Sequence, residues 1–179
     1  MNNLYLILFF SAIILIAAGC SKKSNPLTPP TSEFPPDTKF SVTLYSPLSA
    51  VTVGESFDVR VVLYNVTNVS GIALTVTYSK GNVDVVSVAG GTTFLPSDSV
   101  VSISNIEADS SRVSYGVSYK NSSSKSGSGI ICTIKCKATA SGTASFVIDQ
   151  TTLVIDTPAG TLIDHFASLL VENCSVAIR

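Results

Sequence analysis

The sequence from Thr38 to Arg179 predicts an all-β fold, a two-sheet sandwich of about nine strands. Hydrophobic and polar residues alternate at a period of two almost throughout, and the segment is rich in Val, Ile, Thr and Ser. Turn residues recur every eight to twelve positions or so, as is typical of sandwiches. About 142 residues suit a single domain that buries roughly two thirds of its unfolded surface.

The predicted strands follow one another in short segments separated by turn residues. They are Phe40–Ser46, Ser56–Tyr64, Gly71–Ser79, Val83–Val88, Val100–Ile106, Arg112–Tyr119, Gly129–Ala138, Ala144–Ile155 with a break, and Leu169–Ile178. The segment Lys120–Ser128 is rich in Ser, Gly and Lys, which predicts a mobile loop.

Two of these strands show which side faces the core. Successive side chains of a strand point to opposite faces, so the apolar set marks the buried side. The predicted inward residues are Ile72, Leu74, Val76 and Tyr78 on one strand and Val113, Tyr115, Val117 and Tyr119 on the other. The predicted outward residues are Ala73, Thr75, Thr77, Arg112, Ser114, Gly116 and Ser118.

The N-terminus carries a short apolar run, Leu4–Ala18, followed by Gly19 and Cys20. Such a run suits a signal-peptide core better than a spanning helix, which needs about twenty residues. The order resembles the lipobox of bacterial lipoproteins, which implies a signal peptide over residues 1–19 and lipidation of Cys20. The basic residues that usually precede the apolar run are missing, and Ala17 stands where Leu is commoner. An uncleaved membrane anchor is the alternative.

Residues 20–37 follow as a tether between the lipidated cysteine and the domain at residues 38–179. Five prolines fix the backbone there and predict an extended chain of polyproline character. Ser21 directly after the cysteine favours the outer membrane and leaves open whether the domain faces the periplasm or the exterior.

The formal net charge is −1, and the basic residues are scattered apart from Lys22 and Lys23. A nucleic-acid-binding protein concentrates its basic residues on one surface. Nucleic acid is therefore not an expected partner.

The order of segments resembles a cohesin domain, a nine-stranded jelly roll related to some carbohydrate-binding modules. The matching segments are Val53–Glu55 with Phe57 and Val59, Asn65–Gly71, the strand ending at Tyr78, Val83–Val88, Gly129–Ala138 and the closing strand to Ile178. The resemblance implies a non-catalytic module that presents one sheet face to a dockerin, a small calcium-loaded helical module of another protein, often an enzyme acting on polysaccharide. It places the outward residues of Gly71–Ser79 and Arg112–Tyr119 on that face.

The chain departs from the cohesin pattern at contact positions. Gly71 and Ala73 stand where many dockerin-binding cohesins have polar residues, and Ser79 and Lys80 stand where those cohesins have Asp and Pro. The hydrogen-bonding anchors for a standard dockerin are therefore missing, and a different protein partner is an open alternative.

The sequence offers no constellation for catalysis, a cofactor or a metal. His165 is the only histidine, no Gly-x-Ser-x-Gly motif is present, and the aspartates are dispersed without the spacing of a calcium loop. We expect no enzyme activity, no cofactor and no metal site.

A polysaccharide-binding module is the alternative function. Sugar rings usually stack on exposed aromatic side chains, yet the chain has no tryptophan, and Tyr78, Tyr115 and Tyr119 belong to the predicted buried faces. Two or three coplanar aromatic side chains at the surface would favour this alternative, and the candidates for such a stripe are Tyr45, Tyr64, Phe94 and Phe166.

Three cysteines besides Cys20 are predicted to be free thiols. Cys132 and Cys136 are four residues apart on one strand, which separates them by roughly 13 Å, too far for a disulfide. In the cohesin arrangement, the strand of Cys174 and the strand of Cys132 and Cys136 belong to the same sheet but are not neighbours. The resemblance therefore implies no disulfide between Cys174 and either of the other two.

Overall fold

A computed structural model describes residues 34–37, 39–91, 94, 99–121, 123–158 and 169–179. These residues form eleven strands. In chain order the strands are β1 (Ser41–Tyr45), β2 (Ala50–Val51), β3 (Ser56–Val69), β4 (Gly71–Tyr78), β5 (Val83–Gly90), β6 (Val100–Glu107), β7 (Arg112–Tyr119), β8 (Lys125–Ala138), β9 (Gly142–Asp156), β10 (Leu170–Glu172) and β11 (Cys174–Ile178).

The strands form the predicted two-sheet sandwich. One sheet has the order β10-β1-β3-β8-β5 and the other the order β2-β11-β9-β4-β7-β6. The core lies between the sheets, where the rings of Phe57 and Phe146 meet edge to face at 6.1 Å. Burial drives this arrangement, because the inward residues that alternation predicts on β4 are all at most 8% exposed.

The prediction of a loop over Lys120–Ser128 is wrong for the second half of that segment. Strand β8 already begins at Lys125 and pairs with an extension of β3 beyond Tyr64. Two bulges permit this pairing, with Asn65 and Asn68 in the left-handed backbone region at φ 52° and 53°. The amides of these two residues donate to the hydroxyls of Ser128 and Ser126, both at 3.0 Å. Serine side chains thus take the place of backbone acceptors where the ladder is interrupted.

The single closing strand predicted over Leu169–Ile178 is also wrong, because the chain changes sheets within it. Strand β10 pairs with β1 in the five-stranded sheet, whereas β11 pairs with β9 and β2 in the other. Asn173 lies at the crossover, and its side-chain oxygen accepts a hydrogen bond from the amide of Ile148 at 3.0 Å.

Cys132, Cys136 and Cys174 are free thiols, as predicted, but the placement of Cys174 was wrong. Its strand β11 lies in the opposite sheet from β8, which carries the other two cysteines. Burial raises the pKa of all three thiols, that of Cys136 to about 12. They therefore remain protonated and pack as small apolar side chains.

Candidate protein-binding face

The outer surface of strands β9, β4, β7 and β6 forms one continuous face, which we call the front face. The strand register brings four small or aliphatic residues into a row across it. Ile103 lies opposite Gly116, Gly116 opposite Ala73, and Ala73 opposite Val154. This row runs perpendicular to the strands and crosses all four of them.

The front face carries most of the exposed large apolar side chains. Seven such side chains occur among the described residues, and four of them lie on this face. The four are Val101 at 62%, Ile103 at 75%, Val147 at 42% and Val154 at 38% exposure. A cluster of this kind on one sheet face is typical of an interaction surface, whereas single exposed apolar residues are ordinary.

Gly116 and Ala73 form the floor of the row, between the taller side chains of Ile103 and Val154. A Cβ atom placed on Gly116 would lie 3.4 Å from Cγ2 of Ile103 and 3.9 Å from Cβ of Ala73. Shallow depressions of about 250 and 360 Å³ lie on the two sides of Ile103. The face therefore offers a low apolar floor that a partner side chain can approach.

The structure places the predicted outward residues on the front face with one correction. Ala73 and Ser118 are exposed, and Thr77, Arg112, Ser114 and Gly116 are half-buried.

Thr75 was expected to face solvent, but it is only 5% exposed. A bulge in β9 brings Thr152 over it, so that the Thr75 amide donates to the Thr152 hydroxyl at 3.0 Å. The Thr75 hydroxyl lies 3.1 Å from that of Ser114. Strand β9 runs continuously from Gly142 to Asp156, so the break that the sequence predicted within Ala144–Ile155 is absent, and this bulge shifts the register instead.

Charged groups lie at the two ends of the face, away from the row. Arg112 and Asp149 form an ion pair of 3.4 Å at one end, and Asp156 lies at the other. Hydrogen bonds from Thr151, and after them the charge of Arg112, lower the pKa of the Asp149 carboxyl. The two ends are therefore polar, while the row between them holds no charged side chain.

The outer surface of the other sheet, which we call the back face, has a different character. Its central strands β3 and β8 present Asp58, Arg60, Lys135 and Lys137, and Asp84 follows on β5. Charged side chains are stable in contact with water, whereas burying exposed apolar side chains against a partner lowers the free energy. The front face is thus the better candidate for docking.

The exposed valines and isoleucine of β6 and β9 were missed at the sequence level. Strand β6 places Val100 and Ile106 on its inner side and Val101 and Ile103 on its outer side, so alternation gives no preferred face. Only the pairing with β7 shows which residues are outward, and that pairing was not assigned.

The exposed aromatic stripe that would favour sugar binding is not formed, because two of its four candidate side chains are buried. Phe94 is 0% and Tyr64 3% exposed, and Tyr45 is half-buried. Phe166 lies outside the described residues, as do Cys20 and His165. Within the described part of the chain, no group of three or more His, Cys, Asp or Glu side chains is placed to hold a metal ion. No helix there is long and apolar enough to cross a membrane.

The strands form a β-sandwich whose front face carries an uncharged apolar row between two polar ends. The profile of the cohesin domain family matches residues 42–166, and the chain belongs to this family. Members of the family are non-catalytic binding modules. A comparison with curated protein sequences gives no match.

Solved cohesin structures share the fold at low sequence identity. A type II cohesin domain from the cellulosome of Acetivibrio cellulolyticus is 15% identical with a TM-score of 0.68, over 77% of this chain and 95% of that one. A type II cohesin in a cohesin–X–dockerin complex from the same organism is 14% identical with a TM-score of 0.66, over 78% and 99%. A non-cellulosomal cohesin from Archaeoglobus fulgidus is 17% identical with a TM-score of 0.62, over 78% and 91%.

Proposed function

We propose that this protein is a membrane-anchored, non-catalytic docking module that binds a dockerin-like helical module through its front face. The observation that carries the proposal is the row of Ile103, Gly116, Ala73 and Val154 across four strands of a cohesin fold. Solved relatives include a type II cohesin in complex with a dockerin, which supports a partner of this kind.

The chemistry of the row specifies how the partner is held. The floor residues Gly116 and Ala73 donate no side-chain hydrogen bond, and the walls are aliphatic. Recognition therefore depends on covering apolar surface with a closely fitting side chain, as when an amphipathic helix lies in a groove. We expect the partner helix to present uncharged aliphatic residues at its centre and polar residues at its ends.

The binding test is a calorimetric titration of the protein with the dockerin modules encoded by the same cell. Gly116→Leu places a large side chain on the floor of the row and is expected to abolish binding. Lys135→Leu on the back face is the matched control and is expected to bind normally. Failure of every dockerin module to bind would remove the dockerin part of the proposal.

The anchoring part of the proposal rests on Leu4–Ala18 and Cys20. A lipidated Cys20 would hold the domain at the outer membrane, with more than one acyl chain giving stable attachment. Metabolic labelling with an alkyne fatty acid is expected to mark the protein and to fail with Cys20→Ser. Labelling that persists in Cys20→Ser, or a protein found only in the soluble fraction, would contradict the anchor.

The polysaccharide alternative receives no support from the described residues, because Phe94 and Tyr64 are buried and Tyr45 is half-buried, so these three do not form an exposed stripe. We therefore do not propose it as a second function.

A further inference from the structure

The back face carries a second, smaller apolar cluster outside the main core. Val62, Tyr64 and Ile130 are at most 5% exposed although they point away from the interior of the sandwich. We call these three residues the back patch. Something must cover them, and the chain segment Phe34–Asp37, which the sequence assigned to the tether, lies against them. We call this segment the strap.

The strap is held to the back face by a ring contact and by hydrogen bonds that side chains of the sandwich donate to backbone carbonyls. The ring of Phe34 meets the ring of Tyr64 edge to face, with 5.5 Å between centroids. The hydroxyl of Tyr64 donates to the carbonyl of Pro35 at 2.7 Å. The side-chain amide of Asn65 donates to the carbonyls of Asp37 at 3.0 Å and Lys39 at 2.9 Å.

Two further features show that this contact is built into the sandwich. Asn65 adopts the left-handed backbone conformation of the β3 bulge, which directs its amide towards the strap. Burial, and after it the negative charges of Asp37 and Glu172, raise the pKa of Tyr64, as expected for a hydroxyl that the strap covers.

We infer that the back patch is an intramolecular docking site for the strap. The folded domain then begins at Phe34, four residues before the boundary at Thr38 that the sequence predicted, and the strap lies on the side opposite the front face.

The docking of the strap can be tested with a single fluorescent reporter. The chain contains no tryptophan, so Phe34→Trp introduces the only one. In the full chain we expect a blue-shifted emission and weak quenching by acrylamide. Adding Asn65→Gly, which suits the left-handed backbone but removes the amide donors, is expected to increase quenching severalfold. Adding Tyr64→Ala should increase it further.

Far-UV circular dichroism and the unfolding transition separate loss of the strap from loss of the fold. Increased quenching with an intact sandwich supports the docking site. Emission of a fully solvated tryptophan in Phe34→Trp alone, or quenching unchanged by both added substitutions, would overturn it.

Discussion

Replacing Ile103 by alanine should weaken partner binding without weakening the fold. Three quarters of this side chain is exposed in the free protein, so its burial has still to occur when a partner docks. Fully burying such a side chain contributes about 1.5–3 kcal/mol, and three quarters of that is about 1–2 kcal/mol. A loss of this size raises Kd about fivefold to thirtyfold.

Isothermal titration with the bound dockerin module measures this change, and urea unfolding checks the fold. Val86→Ala is the matched control, because Val86 is 57% exposed at the edge strand β5 of the other sheet. We expect Kd to be unchanged in the control and the free energy of unfolding to change by no more than about 0.5 kcal/mol in either variant. Unchanged Kd in Ile103→Ala, or an equal loss in Val86→Ala, would refute the assignment of the front face.

Three further predictions concern the sandwich itself. Ser70→Ala should raise the free energy of unfolding in urea by about 1 kcal/mol. The Ser70 hydroxyl is buried without a partner among the described residues, and burying an unpaired hydroxyl destabilises the folded state by about this amount. A lower free energy of unfolding in the variant would argue against this. Gly129→Ala should lower it by about 1–3 kcal/mol, because the new Cβ would lie 2.5 Å from Cβ of the buried Phe94; an unchanged urea midpoint would show that the site can relax. Stability should fall as pH rises from 9.0 towards about 12, because the Cys136 thiol ionises at the lower value when unfolded and at the higher value when folded. Cys136→Ala should reduce that slope in urea titrations by about 1.4 kcal/mol per pH unit, and an unaltered slope would contradict the burial of the thiol.

The alternation of apolar residues predicted the strands whose two sides differ. Strands β4 and β7 have apolar residues on one side and small or polar residues on the other, so their register follows from burial alone. Strand β6 could be placed but not oriented, because its apolar residues are divided between both sides. The sequence therefore predicted two strands of the front face and missed the most exposed residue of the third.

Features that depend on pairing between distant segments could not be read from local pattern. The serines before Gly129 look like a loop until they meet the bulges at Asn65 and Asn68. Thr75 looks exposed until the β9 bulge brings Thr152 across it. Tyr64 looks like a surface aromatic residue until the strap covers it. In each case the deciding partner lies tens of residues away in the chain.

Strand β6 closes the six-stranded sheet, and no described strand pairs with its outer edge. From Val100 to Ile106 it contains neither proline nor a charged residue, the usual means by which natural edge strands resist unwanted pairing, and Glu107 at its end carries the only charge of the strand. The edge of β6 is therefore open to strand-to-strand pairing with a second copy, and a lysine introduced at Asn105 is expected to oppose such pairing.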